Sequence, residues 1–279
     1  MLKNLLTLIR FKHWVKNLII FAPLVFSNEL ENLINLNIVF IVFINFCILS
    51  SIIYIFNDIC DYKSDKKNKL KKKTKPLANG SVSLKQAYIL IFILSLFGLY
   101  FSLLTPEVKF VYIGFLLLNI FYSLFLKYIP IIDIFSVSTS YIFRIYSGAL
   151  IINVELSSLM FATVFTAALF IVSLKRKKEF DLNKDKSRSL LKYYSKNIHL
   201  FNIIISATLT LILYTLYVLT INQEVIFTLP LIFFIFFRLF FTYEQKTTTD
   251  SPVEIFFADK TLLISTLIFS LIIIFNFYY

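Results

Sequence analysis

Long apolar runs dominate this sequence and constrain its fold more than any other feature. They are separated by shorter polar stretches rich in lysine, and 58% of the 279 residues are hydrophobic, including 33 Phe. Soluble domains are about 45–50% apolar and carry about 25% charged residues, whereas only 16% of this chain is charged. The composition therefore excludes a soluble enzyme and predicts an all-α integral membrane protein.

The apolar runs divide the chain into nine predicted transmembrane helices, since each bilayer crossing needs about 20 residues. The predicted spans are about 14–27, 34–57, 86–104, 110–126, 131–151, 157–174, 198–220, 225–242 and 261–278. The first apolar run is short for a full crossing, so eight crossings plus a re-entrant segment is the alternative. Residues 1–279 are expected to form a single transmembrane domain.

Positive charge is distributed unevenly between the predicted loops. Lys and Arg collect in cytoplasmic loops, and here they concentrate within about 58–85 and 175–197. An even number of spans separates these two loops, which predicts a cytoplasmic N-terminus and an external C-terminus in the cell (inner) membrane. The net charge of +12 is explained by this topology, so nucleic acid is not an expected partner. No cleavage site follows the first apolar run, so no removed signal peptide is expected.

Three aspartates mark the cytoplasmic end of the second predicted span. Asp58, Asp61 and Asp65 are spaced i, i+3 and i+7, so a continuing helix places them in one narrow sector, next to Asn57. Stacked like charges repel and need a cation between them. The neighbouring lysines could neutralise them, but the favoured interpretation is Mg²⁺, which binds through one or two carboxylates plus substrate phosphates. We therefore predict a magnesium site at the three aspartates.

A polar stripe runs along one face of the fifth predicted span. Its members recur at spacings of 3, 4, 4 and 3: Asp133, Ser136, Ser140, Arg144 and Ser147. An arginine inside the membrane costs about 2.5–3.5 kcal/mol on insertion scales and marks a water-filled or protein-lined cavity. Dipole effects explain Asp133 alone and helix packing explains the serines, but neither explains Arg144. The stripe therefore predicts a cavity wall.

Several basic and polar residues are candidates for substrate contact. Most of the basic loop around 63–75 is explained by attraction to anionic lipid, and Trp14 by the interfacial aromatic belt. The better candidates near the acidic segment and the N-terminus are Lys73, Lys75, Lys16 and Asn17, with Arg10, Trp14 and Asn17 predicted to share a face. The two cysteines, Cys47 and Cys60, are assigned no disulfide role. The two histidines, His13 and His199, are assigned no metal role.

These motifs resemble the UbiA superfamily of intramembrane prenyltransferases, whose members have nine helices and an Asn-Asp-x-x-Asp-x-x-x-Asp motif. Within it, the chain is most similar to the decaprenyl-phosphate phosphoribosyltransferase branch. The matching segments are Trp14 to Asn17, Asn57 to Asp65, Lys73 to Gly80, Tyr122 to Lys127, Ile129 to Asp133 with Arg144 and Gly148, Lys175 to Glu179, and Pro252 to Glu254 before Asp259.

The resemblance implies transfer of 5-phosphoribose from phosphoribosyl pyrophosphate to a polyprenyl phosphate, with release of diphosphate and with Mg²⁺ as cofactor. It implies that the membrane shelters the prenyl chain and that the active site faces the cytoplasm. The implied substrate-binding residues are Lys16, Asn17, Lys73, Lys75, Tyr122, Lys127, Asp133, Arg144, Lys175, Arg176 and Glu179, beside catalytic Asn57, Asp58, Asp61 and Asp65.

Two departures from the family pattern bear on the donor. Lys75 stands where the family has Arg before Pro, which keeps the charge but loses bidentate phosphate geometry. Lys175 and Arg176 begin the segment where aromatic prenyltransferases carry a second aspartate motif. Only Asp181 and Asp185 of this chain correspond to the rest of that motif. A UbiA-type aromatic prenyltransferase with a prenyl diphosphate donor is the alternative. An ion-coupled transporter is the non-enzymatic alternative, disfavoured because no inverted repeat is evident.

Overall fold

Helices are the only regular secondary structure in the part of the chain that the structure describes. The structure is a computed structural model that describes residues 2–68, 72, 74–182, 193–221, 223–245 and 252–278. Eight helices in these residues are long and apolar enough to cross a membrane: Leu33–Cys60, Leu84–Leu104, Pro106–Leu124, Ile132–Ile151, Ser158–Asp181, Lys196–Thr220, Gln223–Gln245 and Lys260–Tyr278. The prediction of a multi-pass helical membrane protein is confirmed, and these eight helices correspond to the second through ninth predicted spans.

The chain divides into two compact units, of which the first comprises residues 1–136 and 143–155. Its helices are α1 (Leu2–Leu8), a 3₁₀-helix (Phe11–Phe21), α2 (Ala22–Phe26), α3 (Leu33–Cys60), α4 (Tyr62–Lys67), α5 (Leu84–Leu104), α6 (Lys109–Leu124) and most of α7 (Ile132–Ile151). Its core is rich in aromatic side chains. Phe46 meets the rings of Tyr112 and Phe115 edge-on, with ring centroids 5.4 and 5.1 Å apart, so α3 and α6 are joined by geometry that aromatic pairs prefer.

The second unit comprises residues 137–142 and 156–279. Its helices are α8 (Ser158–Leu182), α9 (Lys196–Thr220), a 3₁₀-helix (Gln223–Phe227), α10 (Thr228–Gln245), α11 (Pro252–Ala258) and α12 (Lys260–Tyr278). Phe170 of α8 stacks on Phe236 of α10 at 4.7 Å between ring centroids. Ile255 of the short α11 is fully buried in the same cluster, which fixes α11 against these helices.

Side-chain caps define where several helices begin. The Asn32 side chain accepts hydrogen bonds from the amides of Ile34 and Asn35 at the start of α3. Ser83 and Gln86 form a reciprocal capping box at the start of α5, an arrangement that satisfies two otherwise unpaired amides. Both caps lie just outside apolar runs, so the polar residues that interrupt the sequence pattern also set the helix boundaries.

The segment predicted as a short first span has an unexpected geometry. Phe11–Phe21 forms a 3₁₀-helix that leads directly into α2, whereas such helices seldom exceed three or four residues. With three residues per turn, Trp14, Asn17 and Ile20 lie in one line. Trp14 donates from Nε1 to Ser51 Oγ of α3 at 3.0 Å. This segment falls outside the eight long apolar helices, so the ninth predicted crossing is not confirmed.

A glycine lets this 3₁₀-helix approach α7 closely. A Cβ atom added at Gly148 would lie 2.0 Å from the carbonyl oxygen of Ile20, a separation that no side chain tolerates. Both residues lie in buried positions, since Ile20 has no exposed surface. Glycine at position 148 is therefore required by backbone contact rather than by a turn.

Candidate active site

The acidic motif lies where α3 ends, and its geometry differs from the predicted continuous helix. α3 stops at Cys60, Asp61 adopts φ −88° and ψ 0°, and α4 begins at Tyr62. No three Asp, Glu, His or Cys side chains in the described residues group closely enough to hold a metal ion. The predicted stacking of three carboxylates in one sector is therefore wrong.

Lys75 joins two of these carboxylates. Its Nζ lies 2.7 Å from Oδ1 of Asp58 and 2.6 Å from Oδ2 of Asp65. The Asp58 and Asp65 side chains are only 3% and 2% exposed, against 18% for Lys75. A buried carboxylate without a cation would be strongly destabilising, so this ammonium is what permits the burial of both.

Two further cations complete the cluster. Arg10 donates from Nη2 to Oδ1 of Asp58 at 2.7 Å, the same oxygen that accepts from Lys75. Lys127 donates to Oδ1 of Asp61 at 2.6 Å, and Asn57 donates from Nδ2 to the other oxygen of Asp61 at 3.2 Å. Each aspartate of the motif is thus matched with at least one positive charge from outside α3 and α4.

Both cations that contact Asp58 stay protonated at neutral pH. Burial acts to lower the pKa of Lys75, but the carboxylates of Asp58 and Asp65 outweigh it and raise this pKa above its ordinary value. Burial likewise acts to lower the pKa of Arg10, and Asp58 again reverses the effect and raises it. The contacts are therefore charge-assisted hydrogen bonds, which are the stronger kind.

The donor atoms of this cluster suit a hard divalent cation. Carboxylate and amide oxygens are the ligands of Mg²⁺, which is commonly held by one or two carboxylates and completed by substrate phosphates. Oδ1 of Asn57 is buried and accepts no hydrogen bond from the described residues. This oxygen lies beside Asp61 and is available as a metal ligand. The residues present are therefore compatible with Mg²⁺, although the described residues form no preassembled site of three carboxylates.

The polar stripe on α7 is buried, and the cavity that its pattern predicts stays a prediction. All five members, Asp133, Ser136, Ser140, Arg144 and Ser147, are at most 7% exposed. Arg144 donates from Nε to Oδ1 of Asn17 at 2.6 Å and from Nη2 to Ser50 Oγ at 3.3 Å. Its guanidinium also lies 4.8 Å from the centroid of the Phe115 ring. Protein groups from the 3₁₀-helix, α3 and α6 thus surround the intramembrane arginine.

The other residues predicted to bind substrate in the first unit are placed as follows. Lys16 is half-buried in the 3₁₀-helix, Tyr122 is half-buried on α6, and Asp133 is fully buried in the first turn of α7. Lys127 is buried and belongs to the acidic cluster, as described above. Lys73 lies outside the described residues.

A second charged cluster lies at the end of α8 in the second unit. The helix continues to Leu182, beyond the predicted end of the span at 174, so Lys175, Arg176 and Glu179 lie on a helix. Arg176 is buried and donates to Glu179 at 2.7 Å, whereas Lys175 is 38% exposed and lies 3.7 Å from the same carboxylate. Since the strong pair already engages Arg176, Lys175 is the better placed of the two for an external anion.

Sequence reasoning missed two arginines. Arg238, inside the apolar run of α10, pairs with Asp259 at 2.8 Å, and Thr242 donates to the same carboxylate at 2.6 Å. Burial acts to raise the pKa of Asp259, but the hydrogen bonds from Thr242 and Arg238 dominate and lower it to about 2. Arg10 was noted only for its helix face, not for its pairing with Asp58. A lone arginine beside or within an apolar run is the signal in both cases.

Comparison with known proteins identifies the class of enzyme. Residues 19–272 match the UbiA prenyltransferase family, which covers most of the chain. This chain therefore belongs to the UbiA prenyltransferase family. It is a membrane-embedded transferase.

The relatives in sequence point to one branch of the family. A decaprenyl-phosphate phosphoribosyltransferase of Mycobacterium tuberculosis is 29% identical over 220 residues, covering 75% of this chain and 72% of the relative. The protein of that name from Corynebacterium glutamicum is 30% identical over 227 residues, covering 77% and 67%.

The fold is shared with solved membrane-protein structures, including a UbiA homolog. A UbiA homolog from Archaeoglobus fulgidus bound to GPP and Mg²⁺ superposes with a TM-score of 0.71 over 98% of each chain, at 17% identity. A digeranylgeranylglyceryl phosphate synthase gives a TM-score of 0.65 over 99% of this chain and 98% of that one, at 21% identity. At these identities the likeness establishes the fold.

Proposed function

We propose that this enzyme transfers 5-phosphoribose from phosphoribosyl pyrophosphate to a polyprenyl phosphate and releases diphosphate, in a Mg²⁺-dependent reaction. The names of the relatives in Mycobacterium and Corynebacterium support the donor and acceptor. The observation that carries the proposal is the cluster at the end of α3, where Asp58, Asp61 and Asp65 are each matched with a cation at 2.6–2.7 Å. Such a set holds metal-ligating oxygens and phosphate-binding cations side by side.

The metal is proposed to bind through one or two of the carboxylates of Asp58, Asp61 and Asp65, completed by the phosphates of the donor, with Oδ1 of Asn57 as a further oxygen ligand. Solved relatives of this fold carry Mg²⁺ with prenyl diphosphates, which supports a divalent cation in the same reaction class. When bound, Mg²⁺ supplies Lewis-acid neutralisation of the departing diphosphate.

The chain's own cations are proposed to stabilise the negative charge that develops on the departing diphosphate. The bond between C1 of the ribose and the diphosphate oxygen breaks with its electron pair on the diphosphate, and a lipid phosphate oxygen forms the new bond to C1. Lys75, Lys127 and Arg10 are proposed to donate to the diphosphate as negative charge builds on it. Preorganised donors of this kind act without reorganisation when the charge develops.

No strong general base is required. The acceptor is a phosphate monoester and is already anionic at neutral pH, so it attacks without losing a proton. The apolar helices are proposed to shelter its prenyl chain, while the charged end of α3 faces the cytoplasm and the soluble donor.

Lysine-rich segments flanking the end of α3 support this orientation in the inner membrane. A single cysteine at position 67 of a Cys-free variant should react only with reagents added from the cytoplasmic side.

A donor assay tests the proposal directly. Purified protein in detergent receives labelled phosphoribosyl pyrophosphate, polyprenyl phosphate and Mg²⁺, and the extract is scored for a labelled lipid. The expected result is a lipid-linked product that disappears with EDTA. Transfer of a prenyl group from its diphosphate to an aromatic acceptor, with phosphoribosyl pyrophosphate ignored, would refute it.

The aromatic prenyltransferase remains the second candidate because solved relatives of the fold bind GPP and DMAPP with Mg²⁺. It needs the same metal–diphosphate chemistry at the end of α3. The two functions differ in the donor that is consumed, so parallel reactions with each labelled donor separate them. Glu107→Gln, which alters an exposed carboxylate at the start of the helix Pro106–Leu124, serves as a matched control for variants of the acidic cluster.

A further inference from the structure

Two cations share a single oxygen of the acidic motif. Arg10 Nη2 and Lys75 Nζ each lie 2.7 Å from Oδ1 of Asp58. Lys75 also lies 2.6 Å from Oδ2 of Asp65. Its ammonium group therefore occupies the space between two carboxylates that the metal would use.

We infer that Lys75 is an internal counter-ion, which holds Asp58 and Asp65 together before substrate binds and transfers to the donor's diphosphate when a divalent cation enters. The inference rests on the proposed function only for a donor that carries diphosphate. It assigns Lys75 two successive partners, carboxylate and then phosphate. Lys75 is thus a positioning residue for the metal as well as a phosphate ligand.

Charge makes the two binding events depend on each other. A divalent cation that arrives alone at Asp58 meets the positive charges of Lys75 and Arg10, which repel it at close range. Lys75 leaves the carboxylates at low cost only when another anion receives it, and a diphosphate supplies that anion. Metal and diphosphate should therefore bind cooperatively, and each should raise the affinity of the other by the same factor.

The local fold allows the side chain to move while its backbone stays in place. Leu77 and Ala78, which follow Lys75 and Pro76, are 2% and 3% exposed, and the amide of Val82 donates to the Pro76 carbonyl at 3.2 Å. Lysine has a flexible four-carbon stem and a compact charge. A change of rotamer can therefore carry the ammonium from carboxylate to phosphate without moving the chain.

Binding of Mn²⁺ measures this coupling without turnover. Mn²⁺ takes the same oxygen ligands as Mg²⁺ and its free fraction is read by electron paramagnetic resonance. With the full-length protein in detergent, inorganic diphosphate should tighten Mn²⁺ binding by about tenfold or more. Lys75→Gln should bind Mn²⁺ alone about fivefold more tightly than the wild type, and diphosphate should then add less than about threefold. Lys67→Gln, which removes an exposed lysine of α4, should match the wild type.

A second variant covers the case in which Lys75→Gln does not fold. Arg10→Gln removes the other cation at the same oxygen and should also tighten the binding of Mn²⁺ alone. Unfolding temperatures of each variant establish that the protein is intact. Unchanged or weaker Mn²⁺ affinity in the folded variants would overturn the inference, as would equal affinity of the wild type with and without diphosphate. Because the probe is inorganic diphosphate, a protein that ignores phosphoribosyl pyrophosphate but shows this coupling refutes the proposed donor and leaves the counter-ion role standing.

Discussion

Arg144 donates from Nε to Oδ1 of Asn17 at 2.6 Å, across 127 positions of the sequence. The contact joins α7 to the 3₁₀-helix within the first unit. It also explains how an arginine is accommodated in an apolar helix, since its donors are engaged by Asn17 and Ser50 instead of facing lipid.

Removing either partner of this contact should destabilise the protein in a coupled way. Arg144→Leu and Asn17→Ala should each lower the unfolding temperature in detergent, and the double variant should be no worse than the more damaging single variant. The expected coupling is about 1–2 kcal/mol. Ser147→Ala is the control, because Ser147 Oγ bonds a carbonyl of its own helix. Additive losses would show that the two side chains stabilise the fold independently.

Asp61→Asn should abolish most activity while the fold survives. The substitution keeps the shape of the side chain but removes the charge that Lys127 and the proposed metal require. We expect kcat/KM to fall by at least about 100-fold. The unfolding temperature should also fall, because buried Lys127 loses the carboxylate charge with which it pairs, so activity is measured well below that temperature. Near-normal activity in this variant, or in wild type treated with EDTA, would remove the metal from the mechanism.

Gly148→Ala should be strongly destabilising. The added methyl group would lie 2.0 Å from the carbonyl of Ile20, whereas the one added by Gly98→Ala would lie 3.4 Å from the flexible Leu49 side chain. Overpacking of this kind costs about 1–3 kcal/mol or more. The unfolding temperature should drop for Gly148→Ala only. Equal effects of the two substitutions would contradict the close backbone contact.

Lys175→Ala tests whether the end of α8 contributes to donor binding. A charge-assisted hydrogen bond is worth about 1.5–3 kcal/mol, so the apparent KM for phosphoribosyl pyrophosphate should rise by about tenfold or more. Lys196→Ala removes an exposed lysine at the start of α9 and should have no such effect. The Arg176 side chain is less informative, because its loss would leave half-buried Glu179 without its strong partner. An unchanged KM would show that Lys175 does not bind the donor and contributes only to the positive charge of the predicted cytoplasmic side.

Asp259 should contribute stability that disappears in acid. Its folded pKa of about 2 lies below the ordinary value of 3.8 for an aspartate, so the contribution is present above pH 4 and is lost as the pH falls toward 2. The difference in unfolding temperature between wild type and Asp259→Asn should therefore shrink over this range. Comparison with the variant cancels the titration of other carboxylates. A difference that stays constant with pH would refute the assignment.

Most of the membrane-crossing helices could be predicted because lipid permits few alternatives. Backbone groups inside a bilayer must bond internally, so apolar length alone predicts a helix. The 3- and 4-residue spacing likewise placed Asp133 and Arg144 on one face of α7, and both side chains are buried. These inferences hold because they depend only on local periodicity and on the solvent.

The arrangement of the acidic cluster could not be predicted in the same way. The spacing of Asp58, Asp61 and Asp65 predicts stacking only if one helix continues, and the break at Asp61 removes that condition. The cations that replace the stack come from 48 and 66 positions away, at Arg10 and Lys127. Contacts over such distances depend on tertiary packing, which periodicity does not report.

The 3₁₀ geometry of Phe11–Phe21 has a consequence for the length of the N-terminal segment. A 3₁₀-helix rises about 2.0 Å per residue against about 1.5 Å for an α-helix. These 11 residues therefore extend roughly 22 Å instead of roughly 16 Å. With the 5 residues of α2 the segment extends roughly 30 Å, which equals the hydrocarbon thickness of a typical bilayer. Laid end to end, these sixteen residues would therefore be about as long as a full crossing, whereas an α-helix of the same residues would be shorter.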